Sequence, residues 1–359
     1  MKIVLEDWIG RFALHAHLGC ISKRLIFVNI FFKFPLLVSG FCLKFEIAVL
    51  ALTGNMATVS VPTSNAKKPV KYFVVDAFAE SAFKGNPAAV CLLEEEREEE
   101  WLQALASEFN ISETCFLTTP ISDASVPRFH LRWFTPVAEV KLCGHATLAT
   151  AHTLFSSGLV DSDVIEFVTL SGILIAKKIP VIHTTSASNL QKDPTDSYIE
   201  LDFPVNPVRE FSFEASASLI SEALDGASII DVKRTQIADD LLVVISSGKA
   251  ISELQPKLEA LVKCPGRGVI VSGMAPSNSE FDFISRFFCP KLGISEDPVC
   301  GSAHCALAPY WSKKLGKCDF KAYQASPRGG VIDIHLDETT QRVFLRGKAV
   351  TVMEGYILV

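Results

Sequence analysis

From Val70 onward the chain alternates short apolar runs with polar turns, and most of the runs are too short for helices. Lys71 to Val75 is rich in β-branched and aromatic residues and predicts a strand; Phe83-Lys-Gly-Asn-Pro87 is turn chemistry, and Ala88 to Leu93 resumes an apolar strand. Glu94 to Glu100 is nearly all acid and leads into helical spacing over Trp101 to Phe109. Acids suit the positive end of a helix dipole, so the run reads as a solvated helix start. A polar turn at Asn110 leads into a strand ending at Leu117, and Phe129 to Phe134 is another strand, stopped by Pro136. Gly144 opens a helix to about Ser157, with Gly158 as its stop. That helix is apolar or small on nearly every side, and a helix without a charged face is a buried one, so a sheet is expected to wrap around it. Val164 to Ile182 and Tyr198 to Phe203 read as strands, and the polar link His183 to Ser197 between them is the expected domain boundary. The second half predicts helices at Ala215–Leu224, Ser252–Leu261 and Ser302–Leu315, the last of them buried. Its strands are expected at 229–234, 241–244, 268–272, 331–336, 342–346 and 349–357.

One stretch is written twice. Phe129 to Pro136 and Phe283 to Pro290 share Phe, Arg, an aromatic, Phe and Pro at the same offsets, and Leu142-Cys-Gly-His-Ala146 is echoed by Val299-Cys-Gly-Ser-Ala303. The offset is 154 residues from Pro136 to Pro290 but 157 from Cys143 to Cys300, so the second copy carries three extra residues before its Cys-Gly. Short-period repeats build solenoids; one repeat at this distance implies two similar domains facing each other.

Composition adds limits. With 359 residues there is room for about two domains. Residues 1–55 hold six basic and three acidic groups, a net of +3. The whole chain carries −6, which leaves −9 on the remainder. An acidic body does not suit a nucleic-acid partner, which needs a basic face. The ten cysteines form no Cys-x-x-Cys pair, and several sit in apolar runs, which points to free thiols in a reducing compartment and a cytoplasmic location.

Leu25 to Leu52 is very apolar but is broken by Lys33, Pro35, Lys44 and Glu46. A membrane helix needs roughly 20 mostly uncharged residues, and a secretory signal has its apolar core nearer the start. A targeting segment, a peripheral anchor and translated sequence upstream of the real start compete here. Met56-Ala57-Thr58 and the polar stretch after it look like a natural chain start and favour the last. Residues 1–69 are therefore read as an extension, disordered or not native, and no membrane is expected for residues 56–359.

Each Cys-Gly lies at a strand-to-helix junction, where glycine permits an unusual backbone angle and brings amide groups close to a ligand. Two helix starts facing each other would grip a small carboxylate, because their first N–H groups have no intrahelical partner. Glu113 is unusual in a strand; it reads either as an exposed edge carboxylate or as a catalytic one. A zinc site from Cys143, His145, Cys300, His304 and Cys305 fits poorly, since Cys-x-His is not the usual ligand spacing and a helix start splays consecutive side chains. His152 reads as a satisfied core histidine. Arg328 in Ser326-Pro-Arg-Gly-Gly330 reads equally as an anion contact or as part of a turn.

Gly85-Asn-Pro-Ala-Ala-Val90, Ile111-Ser-Glu-Thr114, Cys143-Gly-His-Ala-Thr147 and Glu296-Asp-Pro-Val-Cys-Gly-Ser-Ala303, in this order, resemble the PhzF-like phenazine biosynthesis family of isomerases and epimerases. The likeness covers residues 71–359 and is specific as a set. It implies an α+β fold of two similar diaminopimelate epimerase-like domains, each a curled mixed sheet around a central buried helix, with the active site in the interdomain cleft. The first domain would take residues 70–190 and, through a last strand that crosses back, about 348–359; the second would take 191–347. Carried over by position, Glu113 matches the general acid/base, and His145 and Gly144 with Asp297, Gly301 and Ser302 match the groups around the substrate. No cofactor and no metal are implied; the expected partner is a small carboxylic acid, and a homodimer is left open. The phenazine enzymes carry Thr where Cys300 stands. With Cys143 this gives a thiol at both helix starts, where a thiolate would be stabilised, so a two-cysteine epimerase or racemase is one alternative. The pair reads equally as buried small residues behind the site. A non-catalytic scaffold or interaction protein is the other alternative.

Overall fold

The computed structural model describes residues 15–20, 26–31, 68–118, 120–121, 125–180, 197–212 and 217–359. Met1–Ala66 and Lys67–Val359 are separate compact units. In the first, the backbone of His15–Cys20 pairs antiparallel with Ile26–Phe31. The chain start suggested at Met56 and most of the polar link after His183 lie outside the described residues.

In the second unit the strand pairing runs the same course twice. Val70–Ala77 lies antiparallel to Asn86–Leu93, which is parallel to Glu113–Thr118, which is antiparallel to Arg128–Phe134. Arg128–Phe134 takes Val164–Thr169 as a parallel neighbour, and the antiparallel Gly172–Pro180 and Ser197–Pro204 follow. The second pass uses Ile229–Thr235, Leu241–Ile245, Val269–Met274, Phe283–Cys289, Asp319–Gln324, Gly330–Asp337 and Arg342–Gly347, with the same succession of parallel and antiparallel neighbours. The duplicated sequence lies on the fourth strand of each pass. The passes join where Ser197–Pro204 also pairs with Arg342–Gly347, and the final strand, Ala349–Ile357, returns to pair with Val70–Ala77.

Each pass holds a helix between its fourth and fifth strands: Gly144–Ser156 in the first and Gly301–Leu315 in the second. Both are buried along most of their length because their side chains are small or apolar. The charges of the second appear only in its last turn, at Lys313 and Lys314, where they suit the negative helix end. Large side chains from the strands close around them: Trp133, Phe167 and Phe203 are almost fully buried, and Phe283 stacks on Trp311 with ring centroids 5.5 Å apart. Each fully buried Leu or Phe contributes about 1.5–3 kcal/mol relative to exposure, so these helices anchor the unit.

Three expected elements differ. The run from Val164 is a hairpin, turned at Gly172 with φ +89°, and not one strand. The helix expected at 252–261 is two short ones, Gly248–Glu253 and Leu258–Lys263, separated around Pro256, which lacks an N–H and disfavours helix in the residue before it. The acidic run mostly precedes its helix, which spans Glu99–Phe109 with Glu99 and Glu100 in its first turn. Among the described residues no helix is long and apolar enough to cross a membrane.

Candidate active site

The two central helices meet at their N-terminal ends. A Cβ added to Gly144 would stand 3.2 Å from the Gly301 Cα and 3.3 Å from Phe203 Cε2, and one added to Gly301 would stand 3.2 Å from the Gly144 Cα. Neither glycine has a positive φ, so the unusual backbone angle expected from sequence is absent. Glycine is required because the helix starts touch. That contact brings two sets of N–H groups without intrahelical partners to one place, where the helix dipoles favour negative charge.

Glu113 is the first residue of its strand, paired with Ala88, and is 6% exposed, so the exposed-edge reading does not hold. Its Oε2 is buried without a hydrogen-bond partner. Burial pushes its carboxyl up to about 8, the nearby Asp297 charge adds to this, and the Cys143 thiol opposes it. Asp297 ends the short strand Ile294–Asp297 and is partly buried; burial raises it to about 6, against the pull of Cys300, Asn86 and Arg267. His145, second in its helix, is 4% exposed and held neutral by burial, at about 3. Its Nδ1 lies 3.0 Å from Asn86 Nδ2 and 3.3 Å from Cys143 Sγ, while its Nε2 is buried without a partner. Ser302 is half-buried, with its Oγ 3.3 Å from Cys300 Sγ.

The three extra residues of the second copy have a structural outcome. They extend the link between strand and helix, which forms a turn at Pro290–Leu292 and the strand that carries Asp297. Counted from the cysteines, Asp297 corresponds to Val140 in the first copy. The halves are alike in fold and unlike in chemistry: one supplies Glu113 and His145, the other Asp297 and Ser302.

Cys143 and Cys300 immediately precede the two helices and are both buried. Burial pushes both thiols well above their ordinary value, and the closest carboxylates, Glu113 for Cys143 and Asp297 for Cys300, push the same way. The helix starts were expected to favour thiolates; enclosure beside two carboxyl groups outweighs them. Among the described residues no group of three His, Cys, Asp or Glu side chains is arranged to hold a metal ion. His304 Nδ1 is 2.7 Å from the Cys300 carbonyl oxygen and its Nε2 is 3.3 Å from Ser285 Oγ, so it is a bonded interior histidine. His152 meets Thr351 Oγ1 at 3.1 Å.

Two residues without an assigned role in the sequence reading belong here. Asn86 is fully buried and its Nδ2 lies 2.6 Å from Asp297 Oδ1 and 2.9 Å from the Val299 carbonyl oxygen as well as beside His145. Gln324, also fully buried, donates to the Asp297 carbonyl at 2.6 Å and accepts from the Cys300 N–H at 2.8 Å, fixing the turn into the second helix. Asn86 was visible as part of Gly85-Asn-Pro; nothing in the sequence marks Gln324. Arg328 is a brace. It donates to Asp76 Oδ1 at 2.6 Å, to the Gly85 carbonyl at 2.8 Å and to the Lys84 carbonyl at 2.9 Å, and so holds the loop that presents Asn86. Of six buried side-chain polar atoms without partners among the described residues, three are here: Glu113 Oε2, His145 Nε2 and Asn86 Oδ1. An orphaned buried polar atom costs about 1–3 kcal/mol, so their concentration marks a place built for a ligand.

A family model described as phenazine biosynthesis-like protein matches residues 75–355. The chain is 44% identical over 287 residues to an uncharacterized isomerase of Halalkalibacterium halodurans, with 80% of this chain and 97% of that one covered. It is 38% identical over 298 residues to a human phenazine biosynthesis-like domain-containing protein, covering 79% and 97% of the two chains. Among solved structures, a PhzF-family phenazine biosynthesis protein of Enterococcus faecalis is similar with a TM-score of 0.67 at 37% identity, covering 81% of this chain and all of that one. A hydroxyproline epimerase of Agrobacterium vitis is similar in fold alone, at a TM-score of 0.52 and 10% identity over 82% of this chain and 93% of that one.

Proposed function

The chain belongs to the phenazine biosynthesis-like family and is an isomerase with an epimerase-like α+β fold; from that starting point we propose that it moves a proton between carbons of a small carboxylic acid through Glu113. The observation that carries this reading is a buried carboxyl, shifted to about 8 and with an open oxygen, at the meeting point of two helix starts.

The substrate carboxylate sits against the helix-start N–H groups, with the Ser302 hydroxyl beside it. Glu113, once ionised, takes a proton from carbon; the electron pair left behind spreads onto the acid's oxygen atoms, where N–H groups and His145 oppose the growing charge. Glu113, now protonated, returns the proton to another carbon on the face from which it was taken. Atoms and charge balance without a co-reactant.

Because the carboxyl must lose its proton before it can take one, kcat/KM is expected to rise with pH from 6 and level off above about 8. A profile that falls over that interval would contradict a base role in the first step. A panel of small carboxylic acids incubated in deuterated water tests the function directly, read as solvent deuterium entering one of them. Failure to exchange any acid would favour a non-catalytic scaffold.

The two-cysteine reading has one observation in its favour, a thiol at each helix start. The upward push on both thiols weighs against it. Cys143→Ala and Cys300→Ala are each expected to retain exchange within about tenfold of the unmodified protein, whereas removing either of a thiol acid/base pair removes far more. Loss of exchange in both would overturn the Glu113 assignment in favour of the thiols.

A further inference from the structure

We infer that Asn86 is a positioning residue that fixes His145 as the tautomer with its proton on Nε2, so that a buried N–H donor faces the substrate. The inference rests on the reading of the site given above. Its first support is the orientation of the Asn86 amide. The Val299 carbonyl oxygen, 2.9 Å away, can only accept, so the amide end facing it is Nδ2 and not Oδ1. Asp297 Oδ1 at 2.6 Å, whose carboxylate form accepts, demands the same orientation. An amide nitrogen has hydrogens and no lone pair to offer, so His145 Nδ1, 3.0 Å from it, must be the acceptor. The other neighbour of Nδ1, the Cys143 sulfur at 3.3 Å, has one hydrogen, shared between Nδ1 and Glu113, so the amide and not the thiol decides the tautomer. A neutral imidazole that accepts at Nδ1 carries its hydrogen on Nε2, the atom that is buried and has no partner.

The second support is how firmly Asn86 is held. Its loop is fastened from the other pass of the fold by Arg328 and by the Gly85 N–H bonded to the Gly329 carbonyl at 2.8 Å. One amide thus touches both His145 from the first pass and Asp297 from the second. Its Nδ2 has two hydrogens for three acceptors, so one hydrogen is shared. Asn86 therefore sets the donor on one side of the substrate and supports the carboxylate on the other.

Nitrogen-15 NMR of the histidine side chains in the full, unliganded chain tests this, with the His145 signal identified among eight by its loss in His145→Gln. The expected spectrum shows Nδ1 unprotonated and Nε2 protonated. Proton on Nδ1 in the unmodified protein would overturn the inference without any change at Asn86. Cys143→Ala removes the other Nδ1 neighbour and is expected to leave the tautomer as it is; a change there would assign the role to Cys143 instead. Asn86→Leu, with Asn86→Ser as the gentler replacement, is expected to give a mixture of tautomers. Its kcat for deuterium exchange should fall about 10- to 100-fold with less change in KM. A folded Asn86 variant with the original tautomer would sink the idea. Full turnover in Glu113→Gln would defeat the proposed function and leave this assignment standing; an Nδ1-protonated His145 would do the reverse.

Discussion

Glu113→Gln is expected to lower turnover by a factor on the order of 10³ or more while the fold stays intact, because glutamine keeps the shape and cannot carry the proton. The same substitution carries a second, independent signature. The folded-state carboxyl sits at about 8 against an ordinary value of 4.5, so folding favours its protonated form. Glu113's own contribution to stability is therefore fully present below about pH 4.5 and is lost as the pH rises through 8, by an amount on the order of a few kcal/mol. Glutamine does not titrate. Thermal unfolding should show Glu113→Gln gaining over the unmodified protein at pH 9 and gaining little at pH 5. Equal differences at the two pH values would mean that the carboxyl is not perturbed, and retained turnover would remove it from the chemistry.

Gly85→Ala should be the most damaging small substitution near the site. Gly85 has φ +61°, and a Cβ there would come to 2.1 Å from the Ala77 carbonyl oxygen and 2.9 Å from the Ala79 Cβ. Backbone cannot move away cheaply, since the Gly85 N–H and carbonyl are tied to Gly329 and Arg328. Left-handed strain of about 1–3 kcal/mol and overpacking of similar size add together, for a fall in melting temperature of roughly 10 °C. Exchange activity should fall with it by at least the roughly 10- to 100-fold expected for loss of Asn86, because the displaced loop carries that residue. An unchanged melting temperature with full exchange would show that the loop has another conformation available.

The sequence made some of this legible for identifiable reasons. Both central helices could be read because they lack a charged face, a signal contained within each segment. The duplication could be read because Phe129 to Pro136 and Phe283 to Pro290 occupy the same strand of each pass and face the same packing demands. Asn110 reads as a turn residue and takes φ +49° at the end of its helix. What stayed hidden depends on partners far away in the chain. Asn86 bonds to Asp297 and Val299, more than 200 residues on, and Gln324 acts through Cys300, so neither role has a local pattern. The enclosure of the thiols is hidden on the same ground: a helix start is local information, but burial beside Glu113 and Asp297 is not. The hairpin at Gly172 is hidden because apolar residues continue through both of its strands.

The last strand, Ala349–Ile357, lies along Val70–Ala77 from Ala349 opposite Ala77 to Ile357 opposite Val70. During synthesis, Val70–Ala77 therefore emerges well before its partner and waits with one edge unpaired until the second pass has been made. A waiting apolar edge is a template for pairing with another nascent chain. The first pass of the fold cannot be finished in order of emergence, because its outer strand has to wait for the whole second pass to be made.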